Sequence, residues 1–217
     1  MAPTEVLIVD YGFGNVRSVV NALEFVGLAP KLSSDPKDVA TARNLLLPGV
    51  GAFGSAMQEL GRRQLSEAIH IAVYRGARLL GICLGMQLLF ENSNEFGLHR
   101  GLGLLPGCVR PLVPEEEVSP TKRATHIGWQ RVVPGNQGVL SNMFQGSLSE
   151  YYFVHSFAAQ PKNDGALIVA GWAQHHQEPF VAAVEKENVL GVQFHPERSG
   201  AAGLSLLAGA FVSDAGR

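Results

Sequence analysis

Strands and helices alternate through the first half of this chain. That alternation predicts an α/β fold: a mostly parallel central sheet flanked by helices, with antiparallel strands in the C-terminal half. Three observations carry the prediction. Short apolar runs such as Val6–Val9 lack the polar alternation of half-exposed strands. The stretches between them repeat apolar residues at helical spacing. From residue 126 onward the chain reads as successive strand-like pieces, the last two close enough to form a hairpin.

VLIV at 6–9 is the first strand. Val16, Val19, Val20 and Leu23 follow helical spacing, and Gly27 supplies a stop. LAPKL offers a second strand, and Asp35 followed by Pro36 opens a short helix with proline at its first position. NLLLPG is a third strand, ending at Pro48 and Gly49. Helical spacing returns from about Gly54 to Arg75, with an interruption near Gly61. ARLLGI is the fourth strand and LGMQLLF the next helix. Right-handed crossovers between such strands place helices on both faces of the sheet. Pro106, Pro111, Pro114 and Pro120, around the acidic triplet Glu115–Glu117, read as a surface connection. HIGWQRVV, EYYFVHSF, ALIVAGWA, FVAAVEK and VLGVQFH follow as strands, the last two joined across Lys186–Asn188. SGAAGLSLLAGAFVS closes the chain as an apolar, small-residue helix. No linker is long enough to divide the chain, so residues 1–217 are expected to form one domain.

Composition narrows the function. Apolar residues make up 46% and charged residues 17% of the 217, which suits a packed core. A net charge of −2 gives no reason to expect nucleic acid or an acidic membrane as partner. Cys83 and Cys108 are too few for a disulfide framework and are expected to be free thiols in a reducing cytosol. The start, MAPTEVLIVDYG, lacks the basic and apolar blocks of a signal peptide, and no apolar run reaches membrane-spanning length. A soluble, cytoplasmic protein is expected. Gly12 and Gly14 begin a dinucleotide fingerprint whose third glycine is replaced by Arg17, and no P-loop is present, so no cofactor is expected. No H-E-x-x-H or C-x-x-C pattern supports a metal. His175 and His176, with His126 and His155, would meet only by tertiary accident.

The chemistry gathers around GICLGMQ at 81–87. Gly81-Ile82-Cys83-Leu84-Gly85 is a nucleophile-elbow pattern with cysteine as the nucleophile. A tight strand-to-helix turn strains the backbone at Cys83, and flanking glycines avoid collisions with the helix and adjoining strand. The start of a helix favours thiolate over thiol. Read alone, the segment also fits a small buried cysteine.

A thiolate doing acyl chemistry needs an imidazole to move protons. His195 ends an apolar strand, with Glu197 two residues on. In extended chain those side chains share a side, so Glu197 can fix the tautomer of His195 and stabilise its cation. A strand-end His–Glu surface pair would look the same by itself. For an oxyanion hole, Leu84 N–H follows the nucleophile directly, and LPGVGAFG at 47–54 offers Gly49 and Gly51.

Together these segments resemble the class I (triad) glutamine amidotransferase family. The elbow, the Pro-Gly-rich loop and the C-terminal H-P-E occur in that family's order over nearly the whole chain. DYGFGNVRSV, LPGVGAFG, GICLGMQLLF, HIGWQ, YYFVHSF and GVQFHPERSG resemble most the branch that works in histidine biosynthesis. The resemblance implies a flavodoxin-like sheet and a reaction, glutamine plus water to glutamate plus ammonia. Cys83 would form a thioester, His195 would move protons and Glu197 would hold His195. L-Glutamine would rest on Gln87 and on backbone near Gly51, Leu84, Ser156 and Phe157. The ammonia would pass to a (β/α)8-barrel cyclase subunit in a heterodimer, docked near Asn15, Arg17, Trp129 and Tyr152. Trp129 as core and Asn15 as a helix cap are their plainer readings. Arg198 stands where the family usually has Lys, and Thr125 and Gln130 replace a usual Pro and Asn. Another class I glutaminase, a stand-alone thiol hydrolase and a binding scaffold on this fold remain open alternatives.

Overall fold

The computed structural model describes residues 2–135, 137–144, 150–162 and 164–211. In chain order the first half runs β1 (Glu5–Val9), α1 (Val16–Phe25), β2 (Ala29–Ser33), α2 (Pro36–Thr41), β3 (Asn44–Leu47), α3 (Phe53–Arg62), α4 (Leu65–Tyr74), β4 (Arg78–Ile82) and α5 (Leu84–Leu88). Next come β5 (Phe90–Ser93), β6 (His99–Arg100), β7 (Leu105–Pro111), β8 (His126–Arg131), β9 (Val133–Pro134) and α6 (Val139–Phe144). The remainder is β10 (Glu150–His155), β11 (Phe157–Pro161), β12 (Ile168–His175), β13 (Glu178–Lys186), β14 (Val189–Val192) and α7 (Gly200–Phe211).

The large sheet has the order β2-β1-β3-β4-β14-β13-β12-β9. The pairings β1–β2, β1–β3, β3–β4 and β4–β14 are parallel, and the strands beyond β14 are antiparallel. This is the predicted architecture. β1, β3, β4 and β14 bury both faces, which is why their sequences run apolar without alternation, whereas β2 at the edge is half exposed. Val6, Ile8, Leu46 and Leu80 join α1, α6 and α7 in one core. Leu7, Val9, Leu45, Leu47 and Leu79 join α2, α3, α4 and α5 in the other. In α2 the Asp35 carboxylate accepts from Lys37 N at 2.8 Å, with Pro36 next, as the sequence predicts.

The structure departs from the sequence reading in four places. The α3–α4 break falls at Gln64, in the left-handed region at φ 59°, and not at Gly61. The helix read over 84–90 stops at Leu88, and Phe90 opens β5. Part of the proline-rich stretch is no surface connection: Leu105–Pro111 forms β7, inside a second sheet ordered β11-β7-β5-β6. Its Leu105 and Val109 are fully buried. Pro106 is tolerated because it lies where the β5–β7 register shifts, so no ladder N–H is demanded of it. HIGWQRVV and EYYFVHSF each divide between sheets. β8 and β10 pair with each other, while β9 joins the large sheet and β11 the second one. The second division falls at Ser156, whose hydroxyl bonds Thr125 Oγ1 at 2.7 Å while its carbonyl accepts from Leu112 N at 2.8 Å. No helix among the described residues is long and apolar enough to cross a membrane.

Candidate active site

Parallel pairing brings the carboxyl ends of β1, β3, β4 and β14 to one edge, where the Gly49–Gly51 loop, Cys83 and the His195–Glu197 pair leave the sheet, while Ser156 and Phe157 come to it from the β10–β11 junction. Cys83 follows β4 and sits at φ 55°, ψ −113°, a conformation that costs a non-glycine residue about 1–3 kcal/mol. The turn closes because a Cβ at Gly81 would meet Gly85 backbone at 2.8 Å. Cys83 N donates to Val192 O at 2.8 Å, which ties the elbow to β14. Its sulfur is largely buried and faces the Val154 carbonyl at 3.9 Å.

His195 follows β14 and is 4% exposed. Its Nδ1 bonds Glu197 Oε1 at 2.9 Å, the pairing expected of them. Both side chains are almost closed to solvent, so they are not a surface pair. A carboxylate oxygen accepts, so Nδ1 carries the proton. Burial draws the His195 pKa down, but the Cys83 sulfur and the Glu197 carboxylate outweigh it and push the imidazole up to about 10. Its buried Nε2 has no hydrogen-bond partner of ordinary geometry, yet the ring lies close enough to the Cys83 sulfur for that sulfur to raise its pKa.

Cys83, His195, Leu84, Gln87, Gly51, Ser156 and Phe157 line one cavity of about 270 Å³. Gly51 reaches it at φ +110°, a value that suits glycine. Gly49 lies outside that lining, at a close approach: a Cβ there would meet Tyr11 Oη at 2.7 Å and Gly85 N at 2.9 Å. Tyr11 donates to Pro48 O at 2.7 Å and so holds the loop that carries both glycines. Burial pushes the Tyr11 hydroxyl well above its ordinary range, and the Cys83 charge adds to this, so it stays a donor.

Gln87 gives both N–H bonds inward, to Phe157 O at 2.9 Å and Gln193 Oε1 at 3.0 Å. Any further contact from its side chain must therefore use Oε1 as an acceptor. Three contributors are not assigned to this site from the sequence. Glu95 places its carboxylate at the cavity, accepting from Phe53 N at 2.7 Å. His155 lines the wall, and Gln193 reaches the sulfur. A lone polar residue inside the apolar run VLGVQF was a legible signal for Gln193, whereas Glu95 had none. A pocket of about 840 Å³ at the opposite, amino edge is lined by Glu5, Arg43, Asn44 and Arg78 among others. Among the described residues that line it there is neither cysteine nor histidine, so size does not mark the chemistry here.

Trp129, Tyr152 and Arg198 form a contiguous patch. The Arg198 guanidinium lies 4.5 Å from the Tyr152 ring centroid, and the Trp129 ring is 5.9 Å from it. Trp129 is 53% exposed and therefore not core. α1 packs against the Pro196–Arg198 turn, and Asn15 and Arg17 are exposed at its start. Asn15 occupies the N-cap position without a side-chain cap bond.

His126, His155 and His175 do meet. His175 Nε2 donates to Arg123 O at 2.7 Å, so its Nδ1 accepts from His126 Nδ1 at 3.1 Å. Among the described residues no group of three His, Cys, Asp or Glu has the geometry to hold a metal ion. Burial lowers His126 to about 4 and His155 to about 3. Both groups take protons more readily when unfolded, near 6.5, so their stabilising contribution is present above that pH. It is lost progressively as pH falls toward 3 to 4. Melting temperature should therefore drop steadily from about pH 7 to about pH 4.5. A profile flat through that window contradicts the neutral, buried state of this pair.

A thiol on a strained turn, with an imidazole–carboxylate pair beside it, is the arrangement used by a class of thiol enzymes acting on acyl groups. Residues 7–213 match the family model for glutamine amidotransferase class-I, and the chain belongs to that family. It is 42% identical over 204 residues to imidazole glycerol phosphate synthase subunit HisH of Chlorobium luteolum, covering 93% of this chain and 96% of that protein. With the subunit of the same name from Chlorobium chlorochromatii it shares 44% over 205 residues, covering 94% and 97%. The structure of PurLQS from Thermotoga maritima superposes with a TM-score of 0.72 at 20% identity, covering 97% and 98%. At that identity the likeness speaks to the fold alone.

Proposed function

We propose that this chain is the glutaminase subunit of a two-subunit synthase: it hydrolyses L-glutamine to glutamate and ammonia in histidine biosynthesis. The observation that carries the reading is the Cys83 elbow, at φ 55°, sharing one cavity with an imidazole bound to Glu197 at 2.9 Å. The names of the relatives supply the pathway.

The Cys83 thiolate attacks the side-chain amide carbon of glutamine. The C=O electrons move onto oxygen, and the N–H groups of Leu84 and Gly51 hold that oxyanion. His195, as imidazolium, gives its proton to the amide nitrogen; ammonia leaves and a γ-glutamyl thioester remains. A water then loses a proton to His195 and adds to the thioester carbon. Collapse of this second intermediate releases glutamate and restores the thiolate–imidazolium pair. Glu197 keeps the His195 proton on Nδ1. Glu95 suits the α-ammonium of the substrate by charge, and Gln87 Oε1 supplies an acceptor. Glu197→Gln preserves shape but leaves the tautomer unfixed. It should lower kcat by about 10²- to 10⁴-fold with little change in KM; an unchanged kcat would remove Glu197 from the mechanism.

The ammonia passes to a (β/α)8-barrel cyclase partner, forming a heterodimer through the face that bears Asn15, Arg17, Trp129 and Tyr152. The partner uses it to make imidazole glycerol phosphate and an aminoimidazole carboxamide ribotide. Residues 1–217 work as one amidotransferase domain, in the cytoplasm and without a cofactor. The test is glutamate release by the purified chain, with and without the cyclase and its nucleotide ligand. A low basal rate that rises many-fold with the loaded cyclase is expected. Full rate from the isolated chain would point to a stand-alone hydrolase, and no rate in any mixture would remove the partner assignment.

A further inference from the structure

Gln193 is a polar residue in a place built for an apolar one. It follows β14 directly, is 0% exposed, and its neighbours Val192 and Phe194 are fully buried. Its backbone N donates to Ala182 O at 2.9 Å, so the residue is pinned between the elbow and β13. Burying an amide without partners is costly, and a hydrocarbon would pack here at no such cost. The amide does have partners, and both are residues of the proposed site. Its Oε1 accepts from Gln87 Nε2 at 3.0 Å, and its Nε2 approaches the Cys83 sulfur at 3.8 Å, a distance suited to N–H···S. Beside the His195 imidazole, the sulfur also faces the Val154 carbonyl at 3.9 Å. A carbonyl can accept from a thiol but repels a thiolate. When the proton leaves, the Gln193 N–H becomes a charge-assisted donor and gains strength as the carbonyl contact loses it.

We propose that Gln193 is a positioning residue of the amidotransferase site: its buried amide holds Gln87 with Oε1 free to accept, and donates an N–H to the Cys83 sulfur as that sulfur becomes an anion. Gln87 Nε2 donates to both Phe157 O and Gln193 Oε1, and Gln193 Nε2 donates in turn to Cys83, so the three side chains form one connected chain. A change in how Gln87 is held is therefore felt at the nucleophile. Fixed dipoles of this kind are most effective in a site closed to water. The role in turnover rests on the glutaminase reading above; the contact with the thiolate does not.

Gln193→Met keeps the length and the apolar fit but neither accepts nor donates usefully. The first readout is alkylation of Cys83 in the full chain by iodoacetamide, followed by peptide mass. The rate near neutral pH should fall about 10- to 100-fold, as expected for losing a hydrogen bond to a charged group. The second is glutaminase kinetics with the cyclase present: kcat should fall by a similar factor and KM should rise. In a Gln87→Met background the KM effect of Q193M should vanish while the slower alkylation persists. A merely structural role would lower the melting temperature and leave alkylation as fast or faster. A native-like Q193M alkylated at the wild-type rate overturns the proposal. Should Q193M fail to fold, the unsubstituted chain decides: with side-chain amides labelled with nitrogen-15, the Gln193 Nε2–H signals must move when Cys83 is alkylated, and unmoved signals overturn the proposal. Slower alkylation together with no glutamate release in any mixture would support the contact and sink the glutaminase reading instead.

Discussion

Cys83→Ala leaves a folded chain that no longer releases glutamate from glutamine. Alanine keeps the β-carbon, so it meets the same backbone strain at φ 55° as the cysteine does. Only the sulfur is removed, together with its long contacts to Val154 O and Gln193 Nε2 at 3.9 and 3.8 Å. Melting should therefore stay within a few degrees of the parent. Activity should fall by at least about 10⁴-fold, because a residue that forms the covalent intermediate has no substitute nearby. Cys108, the other thiol, lies on β7 in the second sheet and does not line the cavity. Glutamate release with cyclase present, beside a thermal melt, checks both halves of the expectation. Retained turnover would place the nucleophile elsewhere.

Gly85→Ala is expected to be the most damaging single-methyl change in the elbow. A Cβ at Gly85 would overlap the Leu47 carbonyl oxygen and come within 2.8 Å of Leu47 C and 3.3 Å of Pro48 C. All of these are backbone atoms at the end of β3, so no side chain can swing aside. Relief requires α5 to lift off the sheet, which moves the Cys83 turn and the Leu84 N–H with it. A loss of about 3 kcal/mol or more is expected from such overpacking, with loss of activity in whatever folds. Gly61→Ala is the matched control. It lies within α3, and a Cβ there meets nothing within 4 Å. It should be neutral or stabilising by up to about 1 kcal/mol. Chemical denaturation of both variants separates a close-approach glycine from an incidental one.

The parallel half was legible because both faces of β1, β3 and β4 are covered, which writes itself as uninterrupted apolar runs. The elbow was legible because its glycine spacing answers a steric demand that few other turns make. His195 and Glu197 pair as expected, but not along an extended strand: a tight turn over Pro196–Arg198 brings the carboxylate to the ring. The second sheet was hidden for a physical reason: Pro106 ordinarily argues against a strand, and only the register shift opposite it removes the objection. The passage of the chain between sheets at Ser156 depends on bonds to Thr125 and Leu112, which are distant in sequence. Glu95 reaches the cavity because Phe53 N, 42 residues away, fixes its carboxylate. The histidine cluster likewise assembles from three strands, β8, β10 and β12. Local pattern carried the elements and the Cys83 turn, whereas contacts between distant segments completed the wall around it.

The central claim is that Cys83 carries the γ-glutamyl group during turnover. It is tested most directly by acid-quenching the chain during steady-state hydrolysis of L-glutamine with the cyclase present and mapping the peptides by mass. A glutamyl adduct is expected on the peptide containing Cys83, absent without substrate and absent in Cys83→Ala. Turnover with no adduct at Cys83, or an adduct carried by Cys108, would contradict it.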